Sequence, residues 1–237
     1  MSTDDLLTYL FDGRPHRLAQ PMATWLASSR RFVTFATAFQ DKIRKKIRTT
    51  PAQENLLDLQ LELETAYLLL RERSLSVAYE PEMAKGIRSP DFAVTFTTSL
   101  TFMLEVTRVQ ADTKSTLEAR LAATIADKLG QLLPQRSNAL LVGVEAAELN
   151  QGDIQRAMRG IQQRAERNDL AFLQRHGFQD RAGFFRHHQR LSEILVRQPQ
   201  DQGARAVVTW ANPQAKYPLP GKVRTALYQS HSQTPER

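Results

Sequence analysis

Apolar residues recur every three or four positions over several long stretches of the chain and alternate, or run together, over shorter ones. Phe32, Phe35 and Phe39 keep helical spacing in RFVTFATAFQ, which predicts a helix over about 31–48 that ends before Thr49-Thr50-Pro51. Thr50 and Pro51 suit the N-cap and first position of a following helix, with Glu54 in its first turn. In AQENLLDLQLELETAYLLLRER, Leu56, Leu59, Leu63, Ala66, Tyr67 and Leu70 make one apolar face. The period then shortens. Leu75, Val77 and Tyr79 alternate in SLSVAYEPEM, and DFAVTF and LTFMLEVTRV are β-branched and aromatic runs separated by TTS, which predicts three strands, two of them a hairpin. A second amphipathic helix carries Leu117, Leu121, Ile125 and Leu129, and the near-continuous apolar run NALLVGVE predicts a buried strand. A third helix starts near Asp153, and RLSEILVR and ARAVVTWAN predict two more strands joined by QPQDQG. Residues 1–30 read as a peripheral helical arm, and the tail after KYPLPG as one short helix and a flexible end. This order of elements predicts one α/β domain.

With 237 residues, the chain is long enough for one sizeable core or two small domains. No stretch reaches the roughly 18 apolar residues of a membrane-spanning helix, so no membrane partner is expected. Cysteine is absent, which removes disulfides, zinc fingers and thiol nucleophiles and fits a cytoplasmic location. The formal net charge is +7, and the excess is uneven. Lys42, Arg44, Lys45, Lys46 and Arg48 fall within seven consecutive positions, and residues 152–190 hold eight arginines, among them Arg156, Arg159, Arg164 and Arg167, against four acids. Clustered cations of this kind suit a phosphate backbone, because they displace its counterions; a solvated helical face would show the same composition.

Two acids stand where acids are costly. Asp91 opens a strand directly after Pro90, and Glu105 lies within FMLEVTRV, where alternation puts Thr107 on its face and Leu104 and Val106 on the other. A carboxylate in a strand core has to be paired, hydrogen-bonded or metal-bound. If neighbouring strands bring the two together, a hard divalent cation such as Mg2+ or Mn2+ would relieve their repulsion; internal ion pairing is the alternative.

Residues 60–109 resemble the core of the PD-(D/E)xK nuclease superfamily, the restriction-endonuclease-like fold. The Pro-Asp of that pattern looks like Pro90-Asp91 within SPDFAV, and its third-strand acid looks like Glu105 within LEVTR, fourteen residues on. The glutamate of the preceding helix would be Glu62 or Glu64, with Glu62 favoured by the ELETAYLL run. The resemblance implies an α-β-β-β-α-β core with a mixed central sheet and a closing C-terminal hairpin. It divides the chain into a helical N-terminal arm with a basic helix (1–50), the nuclease-like α/β domain (51–221) and a short helix with a flexible tail (222–237). It further implies a Mg2+- or Mn2+-dependent endonuclease or exonuclease acting on DNA, with RNA, a homodimer and a protein partner left open. Asp91 and Glu105 would be the metal ligands, and the two basic clusters would contact the nucleic-acid backbone.

One position departs from the family pattern. Where relatives carry lysine two residues after the strand acid, this chain has Thr107, and Arg108 points to the opposite face of a regular strand. Lys85, Lys114 or Lys128 would have to replace the missing ammonium. The alternative is a catalytically inactive nuclease-fold protein that binds nucleic acid or a protein, and a structural or regulatory protein without a nucleic-acid partner is a third reading. His176, His187 and His188 point to basic surface rather than a metal cluster, and Trp210, Tyr217 and Phe184 are candidates for base stacking or core. Neither GxGxxG nor GxxxxGK[ST] is present.

Overall fold

The alternating and apolar runs form one six-stranded sheet in a computed structural model that describes residues 2–50, 53–110, 115–145, 149–198 and 207–232. Its strands are β1 (Leu75–Tyr79), β2 (Phe92–Phe96), β3 (Leu100–Arg108), β4 (Asn138–Gly143), β5 (Leu191–Arg197) and β6 (Val207–Ala211), and they lie side by side in chain order. The first two pairings are antiparallel, β3–β4 and β4–β5 are parallel, and β5–β6 is antiparallel again. Parallel pairs need a crossover, and the helical stretches of the sequence supply it: α6 (Leu117–Leu129) joins β3 to β4, and α7 (Gln151–Glu166), α8 (Leu170–Arg175) and α9 (Arg181–His188) lie between β4 and β5. The central strands β4 and β5 are buried at every position, which accounts for their unbroken apolar character. The observed class is a mixed α/β fold with a central sheet flanked by helices.

Each face of the sheet carries its own core. Phe92, Val94, Phe102, Leu104 and Val106 face a cluster that includes Leu63, Leu68 and Leu69 of α5 (Gln53–Arg71). The same cluster takes in α1 (Thr3–Phe11), α2 (Ala19–Ser28), α3 (Arg30–Ala38), α4 (Gln40–Thr49) and α10 (Gly221–Ser232). On the other face, Leu140, Val142, Ile194 and Val196 pack with α6 to α9. Leu6, Leu10, Leu18 and Met22 are fully buried, so the helices of residues 1–50 are part of the first core.

Two elements differ in detail from the hydropathy reading. The helix expected over 31–48 breaks at Phe39, whose backbone (φ −112°, ψ 17°) leaves helical geometry. The break redirects α4, so that its lysines approach the end of β1. Helix α5 is buried on more than the one predicted face, because Leu61, Leu68 and Leu69 are covered as well as Leu59, Leu63 and Ala66. A helix enclosed by other helices and a sheet is apolar on most sides. The predicted cap at Thr50-Pro51 and the loop QPQDQG fall at least partly outside the described residues.

Candidate functional site

The sheet places the carboxylates by register. Phe92 of β2 lies opposite Leu104 of β3, so Asp91, just before β2, reaches the backbone around Glu105. Its Oδ2 accepts a hydrogen bond from the Val106 N–H at 2.7 Å. Glu105, only 3 % exposed, turns to the α6 side of the sheet, where its Oε2 stands 3.5 Å from Lys128 Nζ. Glu62 comes from α5 and accepts from Lys46 Nζ of α4 at 2.6 Å. The same ammonium lies 2.7 Å from Glu80, the residue after β1. Glu80 has a left-handed backbone (φ 41°), held by its N–H donating to the Asp91 carbonyl at 2.8 Å and by Lys42 Nζ donating to its own carbonyl at 2.8 Å. Lys42, Lys46, Glu80, Arg88, Ser89 and Asp91 line a cleft of about 690 Å³.

Burial dominates the electrostatics. It pushes the Glu62 carboxyl up to about 7, with Lys46 opposing the rise and Asp91 adding to it. Glu105 is likewise pushed up to about 7 by burial and then by the negative charge of Asp91, against the pull of Lys128. Burial also raises Asp91, while the Val106 N–H and the nearby cations Lys128, Lys46 and Arg88 hold it down. For Lys46 burial acts against the charge, but Glu62 and Glu80 outweigh it, and the ammonium is stabilised above its ordinary value. The arrangement is a network of acids and lysines that neutralise one another.

That network overturns the expectation of a metal centre. Among the described residues, no group of three or more His, Asp or Glu side chains is placed to hold a metal ion. The physical reason is visible in the partners. Lys46 draws Glu62 toward Glu80, Asp91 is tied to a backbone N–H, and Glu105 faces Lys128. The expected Mg2+ or Mn2+ cofactor, and with it the metal-dependent nuclease, endonuclease or exonuclease hydrolysing DNA, does not fit these side chains.

The other candidates are placed as follows. Glu64, two residues from Glu62 on α5, is turned away and buried against Arg197 of β5. Thr107 is half-buried on the Glu105 face. Arg108 is on the opposite face, donating to Asp58 at 3.1 Å and Glu145 at 3.2 Å. Of the substitute cations, Lys128 reaches Glu105, Lys85 is exposed, and Lys114 lies outside the described residues. Arg88, a cleft residue outside the motif acids, stands three residues before Asp91 in the RSPD segment.

The first basic cluster is largely used internally. Arg44 and Arg48 pair with Asp12, Lys42 and Lys46 serve the end of β1, and Lys45 is exposed. In the second, Arg156 pairs with Glu118 and Asp153, and Arg164 with Asp169. Arg159, Arg167, Arg175, Arg181 and Arg186 are exposed and have no acidic partner among the described residues. The histidines do not gather. His176 pairs with Asp127 at 2.5 Å, His187 is half-buried, and His188 is buried between Phe184 and Trp210, its pKa pushed down to about 4 by burial. Phe184 is core, while Trp210 and Tyr217 are half-buried.

No protein-family model matches the chain, and no curated protein or solved structure matches it.

Proposed function

We propose that the protein binds nucleic acid through phosphate contacts without hydrolysing it, on a core like that of the PD-(D/E)xK superfamily that has lost its metal chemistry. The observation that carries this reading is the contrast between the two halves of the charge. The core acids are neutralised by lysines, whereas Arg159, Arg167, Arg175, Arg181 and Arg186 of α7 to α9 project with no acidic partner among the described residues. On α7, Ile154, Ala157, Met158, Ile161 and Ala165 are buried, and Arg156, Arg159 and Arg167 fall on the side of the helical wheel opposite them. Such a stripe is what displaces counterions from a polyanion. The likeness of the core rests on the sequence resemblance, to which the order α5-β1-β2-β3-α6-β4 and the gathering of Glu62, Asp91, Glu105 and Lys128 lend support.

Fluorescence anisotropy of labelled DNA and RNA tests the reading. Binding at low salt is expected, with a log–log salt slope that falls by about 2–3 in the triple variant Arg159→Gln, Arg167→Gln, Arg181→Gln. Plasmid incubated with the protein and Mg2+ or Mn2+ is expected to stay intact, and either ion to leave the melting midpoint unchanged. No retention of DNA or RNA at low salt would overturn the proposal in favour of a protein partner. Nicking that disappears in the double variant Asp91→Ala, Glu105→Ala would overturn the claim of catalytic silence.

A further inference from the structure

A second concavity, of about 440 Å³ and sharing no lining residue with the acid cluster, lies between α6, α7 and α8. Its volume falls within the range of about 300–1,000 Å³ over which proteins enclose small ligands. The floor is built from small or apolar side chains, Ala122, Ala123, Ala157 and Ile161, with Phe172 at one end. Gly160 leaves it open: a Cβ built there would meet nothing within 4 Å. The rim is cationic. Arg120, Arg164 and Arg175 line it against one carboxylate, Glu118, which is already paired with Arg156.

The three guanidiniums are not equally engaged. Arg164 is shared between Asp169 and the ring of Phe172, over which its Cζ lies at 4.6 Å. Arg175 has no acidic partner among the described residues. Arg120 donates one N–H to the Gln110 carbonyl at 3.2 Å, yet its Nε is shielded from solvent and lacks a hydrogen-bond partner among the described residues. A shielded donor without an acceptor is costly, and an incoming oxygen would relieve it. A ligand with an anionic group for the rim and a flat apolar body for the floor is complementary to this groove.

We propose that the groove seats one nucleotide of a single-stranded nucleic acid, its phosphate on Arg120, Arg164 and Arg175 and its base over the alanine floor. The inference rests on the nucleic-acid reading above and adds strand selectivity to it. A base supplies the flat body, and guanidinium planes stack on bases as well as pairing with phosphate. A duplex does not enter, because a cavity of about 440 Å³ has room for a single nucleotide and not for paired strands. Duplex binding would then use only the exposed arginines of α7 to α9.

Gly160→Leu separates the two modes. A Cβ at this position meets nothing within 4 Å, the change removes no charge, and leucine is a better helix former than glycine, so the fold is expected to be retained. Anisotropy with labelled oligothymidylate is expected to show about a tenfold loss of affinity, the worth of one base seat, while a labelled duplex is held within about twofold. Arg120→Gln, assayed beside it, is expected to weaken oligothymidylate more than duplex. Equal effects of Gly160→Leu on both ligands, or none on either, would overturn the groove assignment and leave the nucleic-acid reading standing. Binding of duplex alone would do the same. Absence of binding to both ligands by the wild-type protein would overturn both proposals together.

Discussion

Lys46 and Lys128 reach the same small set of acids from helices on opposite faces of the sheet, 82 positions apart in the chain. Their presence lets Glu62, Asp91 and Glu105 be buried near one another, but at a cost that depends on pH. Glu62 and Glu105 bind their protons more tightly in the folded protein, near 7, than in the unfolded chain, near 4.5. The folded state is therefore favoured by these two groups below about pH 4.5, and that contribution is lost as the pH rises through about 7. Glu105→Gln cannot titrate. Its melting midpoint relative to wild type is expected to rise by a few degrees between about pH 5 and about pH 8, each kcal/mol being worth about 2–4 °C in a chain of this size. A difference that stays constant over that interval would show that Glu105 ionises at its ordinary pH. The sequence singled out Asp91 and Glu105 because an acid after Pro90 and an acid inside an apolar strand both violate local expectation. Lys46, whose cluster suits phosphate contact, pairs with acids of its own chain instead. Nothing within α4 itself reveals that its neighbours are Glu62, sixteen residues on, and Glu80, because that meeting depends on the break at Phe39.

At the scale of elements, the apolar pattern marks the strands and helices themselves, and what it understates is how many sides of a helix are buried. The alternation in β1 and the apolar runs of β4 and β5 mark strands directly, since their environments are uniform along their length. In α5 the periodic signal was blunted by leucines on several sides, and packing between α3, α10 and the sheet explains them. Helix starts were written locally. Asn150 caps α7 by accepting from the Gly152 N–H at 2.9 Å, while Asp153 reaches back to the Asn150 N–H at 2.9 Å. Because α7 carries the proposed arginine stripe, its first turn fixes where that stripe begins. Asn150→Ala is expected to lower stability by about 1 kcal/mol, read as a shift of the urea midpoint with an unchanged slope. An unchanged midpoint would mean that packing on α6 holds the start of α7 without its cap.

At the scale of the molecule, the sheet separates two cores that differ in how the chain reaches them. The core of α6 to α9 draws its buried residues from Val109 to Val208, one continuous stretch. The other joins Leu6 through Val106 to Leu219, Val223, Ala226 and Leu227, with only Ala139, Leu141 and Leu195 in between. A protein emerges from the ribosome in order, so the side of α5 that α10 packs against stays open until residues 221–232 have been made. Until then it offers apolar surface to chaperones and proteases, the usual hazard of contacts far apart in sequence. Nascent chains arrested with residue 215 as the last one exposed are expected to be cut within residues 1–71 by limited proteolysis, and chains exposed through residue 232 to resist. Equal resistance would show that α1 to α5 close over β1 to β3 unaided. On that expectation α10 is a timing element, whose arrival ends the exposure of α5 to the quality-control machinery.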